Sequence, residues 1–206
     1  MEMTTALWSF ALVVGVLTLA PGVDTALILR TAALGHRRQA WGVITGVQTG
    51  TLTWGVLSSA GVTALLTASQ VAYEVLRWAG AAYLIWMGVK LLRSRGDEAA
   101  AEAGPAAGGF RQGWRRGTTT NLLNPKVGVF YMAVLPQFIP AGAPHFAAGV
   151  ALTCVHLLEG LVWSAVLVAF AQAVRGWLRR PSARRLMDRV TGAVVVGFGV
   201  KLAAAQ

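Results

Sequence analysis

Three ionisable residues, Asp24, Lys126 and Glu159, stand within long apolar stretches of a 206-residue chain. A charge at membrane depth costs roughly 2.5 to 3.5 kcal/mol on insertion scales and is usually kept for a reason. Asp24 follows Ala20-Pro21-Gly22. Pro21 cannot donate to the carbonyl of Leu17 and its ring crowds that turn, while Gly22 tolerates unusual dihedrals, so a helix should kink or unwind here. Freed carbonyls and a carboxylate would then face one place, which is chemistry for a cation or a proton. Irregular backbone survives at that depth only when packed against protein or lining a water-filled cavity.

A second cluster, Thr118-Thr119-Thr120-Asn121-Leu122-Leu123-Asn124-Pro125-Lys126, suits the opposite charge. Asn124 precedes a proline and is biased toward extended geometry, and Pro125 fits the first turn of a helix. The free donors of a helix start, with the Lys126 ammonium, favour an anionic group such as a carboxylate. Lys126 lies about ten residues past Arg116, roughly 15 Å along a helix, which is deep for a lysine that merely reaches back to the interface. His156 and Glu159 are three apart and share a helix face. They could relay protons or form a static interhelical hydrogen bond.

The elements that must carry these groups follow from composition. The chain is 55% hydrophobic and 13% charged, where a soluble domain carries about 25% charged residues. Runs free of Asp, Glu, Lys and Arg cover 3–23, 39–73 and 127–158, or 21, 35 and 32 residues. Each can hold a membrane helix of roughly 20 residues. Adding shorter segments gives six expected spans at 5–29, 41–65, 72–92, 118–139, 146–173 and 188–205. The N-terminus resembles a signal peptide but lacks a basic start, so it reads as a retained first span. Residues 93–117 form an Ala/Gly/Glu linker with basic ends, and the whole chain reads as one membrane domain with halves 1–92 and 118–206.

The formal net charge of +10 comes from 18 Lys+Arg against 8 Asp+Glu. Arg30, Arg37 and Arg38, then Lys90, Arg93, Arg95, Arg111, Arg115 and Arg116, then Arg175, Arg179, Arg180, Arg184, Arg185 and Arg189 cluster at alternate loops, 15 of the 18 basic residues. Under the positive-inside rule these loops are cytoplasmic and both termini lie outside. A nucleic-acid patch would not alternate with loop parity. Three spans per half imply that related halves would be inverted, and Pro21 with Pro136 is the one matched pair of prolines.

Other residues have blander uses. Gly42, Gly46 and Gly50 form a smooth helix face for close packing, within the chain or in a homodimer. Trp8, Trp41, Trp78, Trp114, Trp163 and Trp177 fit interface anchors or lipid-facing bulk. Cys154, the one cysteine, reads as a small core residue. An intramembrane aspartic protease needs a second span aspartate, and His156-Leu157-Leu158-Glu159 lacks the zinc-protease pattern, so no enzyme chemistry is available. The three His and one Cys are spread apart, which disfavours a metal cage. Export of a metal or other inorganic cation and a passive channel are the competing functions.

The segment APGVDTALILRTAALGHRRQAWGVITGVQTG, followed by NLLNPKVGVFYMAVLPQFI, resembles the LysE/RhtB family of amino-acid exporters over essentially the whole chain. Pro21-Gly22-Val23-Asp24 lacks the second proline usual in the first motif, while Asn124-Pro125-Lys126 and Leu135-Pro136-Gln137-Phe138 match. The resemblance implies an all-α, six-span inner-membrane exporter of amino acids, driven by the proton gradient and without cofactor. The residues imply a division of labour. Asp24 and the carbonyls near Leu17 would hold a substrate ammonium, Asn124, Lys126 and the helix start its carboxylate, and Asp24, Glu159 and His156 are the candidates for proton coupling.

Overall fold

The computed structural model describes residues 2–20, 22–68, 70–93, 108–171 and 180–204, and among these it is all-helical with no strand. The elements are α1 (Met3–Leu19), α2 (Val23–Ala33), α3 (Arg37–Ala68), α4 (Gln70–Arg93), α5 (Phe110–Leu122), α6 (Pro125–Val129), α7 (His145–Ala169) and α8 (Pro181–Ala204). Pro21, residues 94–107 of the linker, and Arg175, Trp177 and Arg179 of the fifth loop lie outside the described residues. Among the described residues one helix, α7, is long and apolar enough to cross a membrane by itself, and the pair α1 and α2, bent by 56°, passes when taken together. Large apolar side chains nevertheless face outward on other helices too, including Trp78 and Trp86 on α4 and Leu186 and Val200 on α8.

The break expected at Pro21-Gly22 is present between α1 and α2. Gly22 caps α2 in ordinary extended backbone, with open space where a Cβ would sit, so the break does not depend on glycine's conformational freedom.

The fourth segment differs from one span over 118–139. Helix already begins at Phe110, inside the expected linker, and stops at Leu122. Asn124, in extended backbone, then caps α6 by accepting a hydrogen bond from the Lys126 amide at 3.1 Å. Past α6 the chain runs through a π-helical stretch at Phe130–Val134 and a 3-10 turn at Leu135–Phe138. Pro136 has no amide hydrogen for the carbonyl four residues back, which explains why regular α-helix is not kept here. The second break therefore falls before Pro125, and Pro136 is not its counterpart to Pro21. The last helix also starts earlier than expected, at Pro181 rather than 188.

Glycines decide which helices meet. A Cβ at Gly42 or Gly46 would overlap the carbonyl of Phe110 or Trp114 on α5, and one at Gly50 would meet the Asn121 side chain. From the other side, Gly113 and Gly117 lie against the backbone of Gln39 and Val43 on α3. The expected smooth face is thus used inside the chain, with glycines on both partners. It explains why the basic end of the linker is helical: docking on α3 requires it. Gly88 on α4 and Gly192 on α8 meet in the same way. Cys154 departs from expectation and is exposed on α7.

Replacing Gly46 by Leu should lower the stability of purified protein by at least about 2 kcal/mol, because backbone rather than a movable side chain blocks the space. Gly61→Ala, which adds a Cβ in open space, should melt at or slightly above the parent temperature.

Candidate functional site

The two helix breaks meet, and each satisfies the other. The Leu17 carbonyl has no amide partner four residues on, because residue 21 is proline. It accepts instead from the Lys126 ammonium at 3.2 Å, and Ala20, the C-cap of α1, accepts from the same nitrogen at 3.4 Å. A cation at a helix C-terminus is favoured by the exposed carbonyls and the helix dipole. In return Asp24, in the first turn of α2, sends its Oδ2 toward the second break. There it accepts from Asn121 Nδ2 at 2.9 Å and Asn124 Nδ2 at 3.1 Å. Hydrogen bonds to charged groups contribute about 1.5 to 3 kcal/mol each. Lys126 and Asp24 are thus held close by neutral go-betweens rather than by direct contact.

Between the breaks and α7 lies a cavity of about 80 Å³. One water needs roughly 10 to 15 Å³ of such space, so the cavity is large enough for several. Gly22, Asp24, Asn124 and Lys126 line it, as expected from sequence, together with Asn121, Thr18, His156 and Trp163. Four of its polar atoms are buried without a partner: Asp24 Oδ1, Asn121 Oδ1, Thr18 Oγ1 and Trp163 Nε1. Each buried polar group left unpaired costs about 1 to 3 kcal/mol. Asn121 Oδ1 lies against Gly50 of α3, while Asp24, Thr18 and Trp163 bring the other three unpaired groups to the cavity lining.

Two apolar clusters bracket this polar space. One joins Phe10 and Val14 of α1 to Phe130, Tyr131, Phe138 and Leu152. The other joins Ile28 and Leu29 of α2 to Val43, Ile44 and Leu167. Along both the broken first segment and α7, the cavity residues lie between the two.

His156 and Glu159 do not bond to each other. The His156 ring stacks on Tyr131 at 5.7 Å between centroids, and its Nδ1 is 2.9 Å from the Tyr131 hydroxyl. Glu159 lies against α1, with Oε2 3.4 Å from where a Cβ on Gly15 would be, and that oxygen is buried and unpartnered. Among the described residues no three of His, Cys, Asp and Glu converge.

The structure differs from the expected division of labour at one point. The Leu17 carbonyl, expected to await a substrate ammonium, is occupied by Lys126. It also adds residues that sequence reading passed over. Asn121 is 1% exposed and bonds the critical carboxylate. Its signal was its spacing of three from Asn124, which puts two carboxamides on one side of a break. Trp163, taken for interface bulk, is seven residues from His156 and so shares its helix face.

The family description LysE type translocator matches residues 8–206. The chain is 33% identical to the homoserine/homoserine lactone efflux protein of Salmonella typhimurium, covering 97% of each chain. It is 29% identical to the leucine efflux protein of Klebsiella pneumoniae, covering 91% of this chain and 90% of that one. It is 25% identical to the membrane protein YrhP of Bacillus subtilis, covering 95% and 97%. No solved structure matches the chain. A match of this extent, on a helical protein whose two helix breaks enclose a polar cavity, makes the chain a member of the LysE family of membrane translocators.

Proposed function

We infer that the protein exports amino acids or close derivatives through the inner membrane, with substrate bound where the two broken helices meet. The observation that carries this reading is the polar cavity lined by Asp24, Asn121, Asn124 and Lys126, with Asp24 Oδ1 buried and without a partner. An ammonium group has three donors and no acceptor, so it suits a carboxylate with an unpaired oxygen. Lys126, at the same cavity, supplies positive charge for the other end of a zwitterion, while Asn124, bonded to Asp24, holds the two breaks in register. The relatives named for homoserine, its lactone and leucine support small aminated substrates. The lactone has no free carboxylate, so the shared pole is the ammonium.

The bracketing apolar clusters favour a carrier over a channel, since each can open while the other stays packed. Six spans, inverted halves, cytoplasmic basic loops and external termini fit the outward-facing apolar side chains and the charge pattern. Proton entry at Asp24 or Glu159, with His156 beside the cavity, would drive substrate exit.

In cells overproducing the protein, a screen over the common amino acids should find faster efflux of at least one, abolished by a protonophore. Efflux that persists without the proton gradient would indicate a passive channel. Asp24→Asn and Lys126→Ala should each reduce that efflux at least tenfold, and unchanged efflux in both would remove the site. A cysteine placed at Gly104 in a Cys154→Ser background should react with an impermeant maleimide only after the cells are opened; labelling of intact cells would invert the topology.

A further inference from the structure

Trp163 is the cavity residue whose role neither the breaks nor the family description explains. Its indole Nε1 is buried and has no hydrogen-bond partner, and an indole nitrogen can only donate. It belongs to a stripe on α7, with His156, Gly160, Ser164 and Leu167, that faces the cavity. Gly160 lies against Gln48, whose amide donates to the Leu157 carbonyl at 2.8 Å and ties this stretch of α7 to α3. Trp163 therefore belongs to a wall tied to α3, while Asp24, with its unpaired Oδ1, belongs to the broken elements.

We propose that Trp163 is the specificity-determining donor that takes the oxygen pole of the substrate, so that a bound molecule bridges α7 to the two helix breaks. The proposal rests on the reading of the cavity as an amino-acid site and adds the group that orients the molecule within it. Lys126 spends two of its three donors on the Leu17 and Ala20 carbonyls, and Trp163 adds a neutral donor to the charge that Lys126 supplies. A neutral N–H bonds a carboxylate oxygen or an uncharged ester, lactone or amide carbonyl alike. The ligand class is then an ammonium with a carbonyl oxygen on the adjacent carbon, charged or not, and simple amines fall outside it.

The test is titration calorimetry of the full chain in detergent micelles with leucine, leucine methyl ester and 3-methylbutylamine, and with homoserine, its lactone and 3-aminopropanol. Wild type should bind each acid and its ester or lactone within about threefold of one another, and each amine at least tenfold more weakly. Trp163→Phe, which keeps an aromatic ring but removes the pyrrole half of the indole with its N–H, should weaken the acids and carbonyl derivatives about tenfold, the worth of one hydrogen bond, and move the amines, which share the packing loss, less than twofold. Equal loss across all compounds would show a packing role only, and no loss would show that the N–H is not used; either overturns the proposal. If the variant does not fold, the wild-type series decides, and amines as tight as acids overturn it. Wild type that binds none of the six compounds removes the underlying reading as well, which separates the two failures.

Discussion

Two helices broken in the middle of a membrane protein leave backbone groups that lipid cannot satisfy, and the whole arrangement depends on how those groups are answered. Here each break answers the other. The ammonium of Lys126, from the second break, covers the carbonyls at the end of α1. The carboxylate of Asp24, from the first, is bound by the asparagines that flank the second. The exchange fixes the register of α1 and α2 against α5 and α6 and keeps opposite charges near one another without collapsing them into a single ion pair.

What the exchange leaves over is what makes the place useful. Asp24 spends one carboxylate oxygen on the lock and keeps the other, buried and unpaired, on a side chain that lines the cavity. Glycine packing makes this possible. Only with Gly46 and Gly50 on α3, and Gly117 on α5, can α5 approach closely enough to bring Asn121 to Asp24. The polar site is flanked by apolar clusters on both sides, and on one of them the chain is wound as π and 3-10 helix rather than regular α-helix. The π and 3-10 winding at Phe130–Phe138 places irregular backbone next to the cavity, where Tyr131 meets His156.

Much of this was legible in the residues. Pro21-Gly22 announced the first break, whereas Asn124-Pro125 read as a helix start inside one span where the structure has a second break; Asp24, Asn124 and Lys126 come together there. The glycine face on α3 was equally readable, because a four-residue spacing of Gly has one physical use in a helix. Its partner was not, since Gly113 and Gly117 sit in a sequence whose arginines and small residues read as linker. The occupant of the Leu17 carbonyl escaped for a related reason: a proline shows which acceptor is freed but not which distant donor reaches it. Trp163 and Cys154 exchanged expected roles, the tryptophan turning to the cavity and the cysteine outward, because helical phase on an almost wholly apolar helix such as α7 leaves little in the pattern to mark its inner face.

The mutual locking of the breaks can be measured without transport. Unfolding free energies of wild type, Asp24→Asn, Lys126→Met and the double variant, taken in micelles, form a double-mutant cycle across two breaks about a hundred residues apart in sequence. Mutual locking predicts a coupling of at least about 1 kcal/mol, with the double variant losing less than the sum of the single losses. Additivity within about 0.3 to 0.5 kcal/mol would mean that the breaks are stabilised independently and would contradict it.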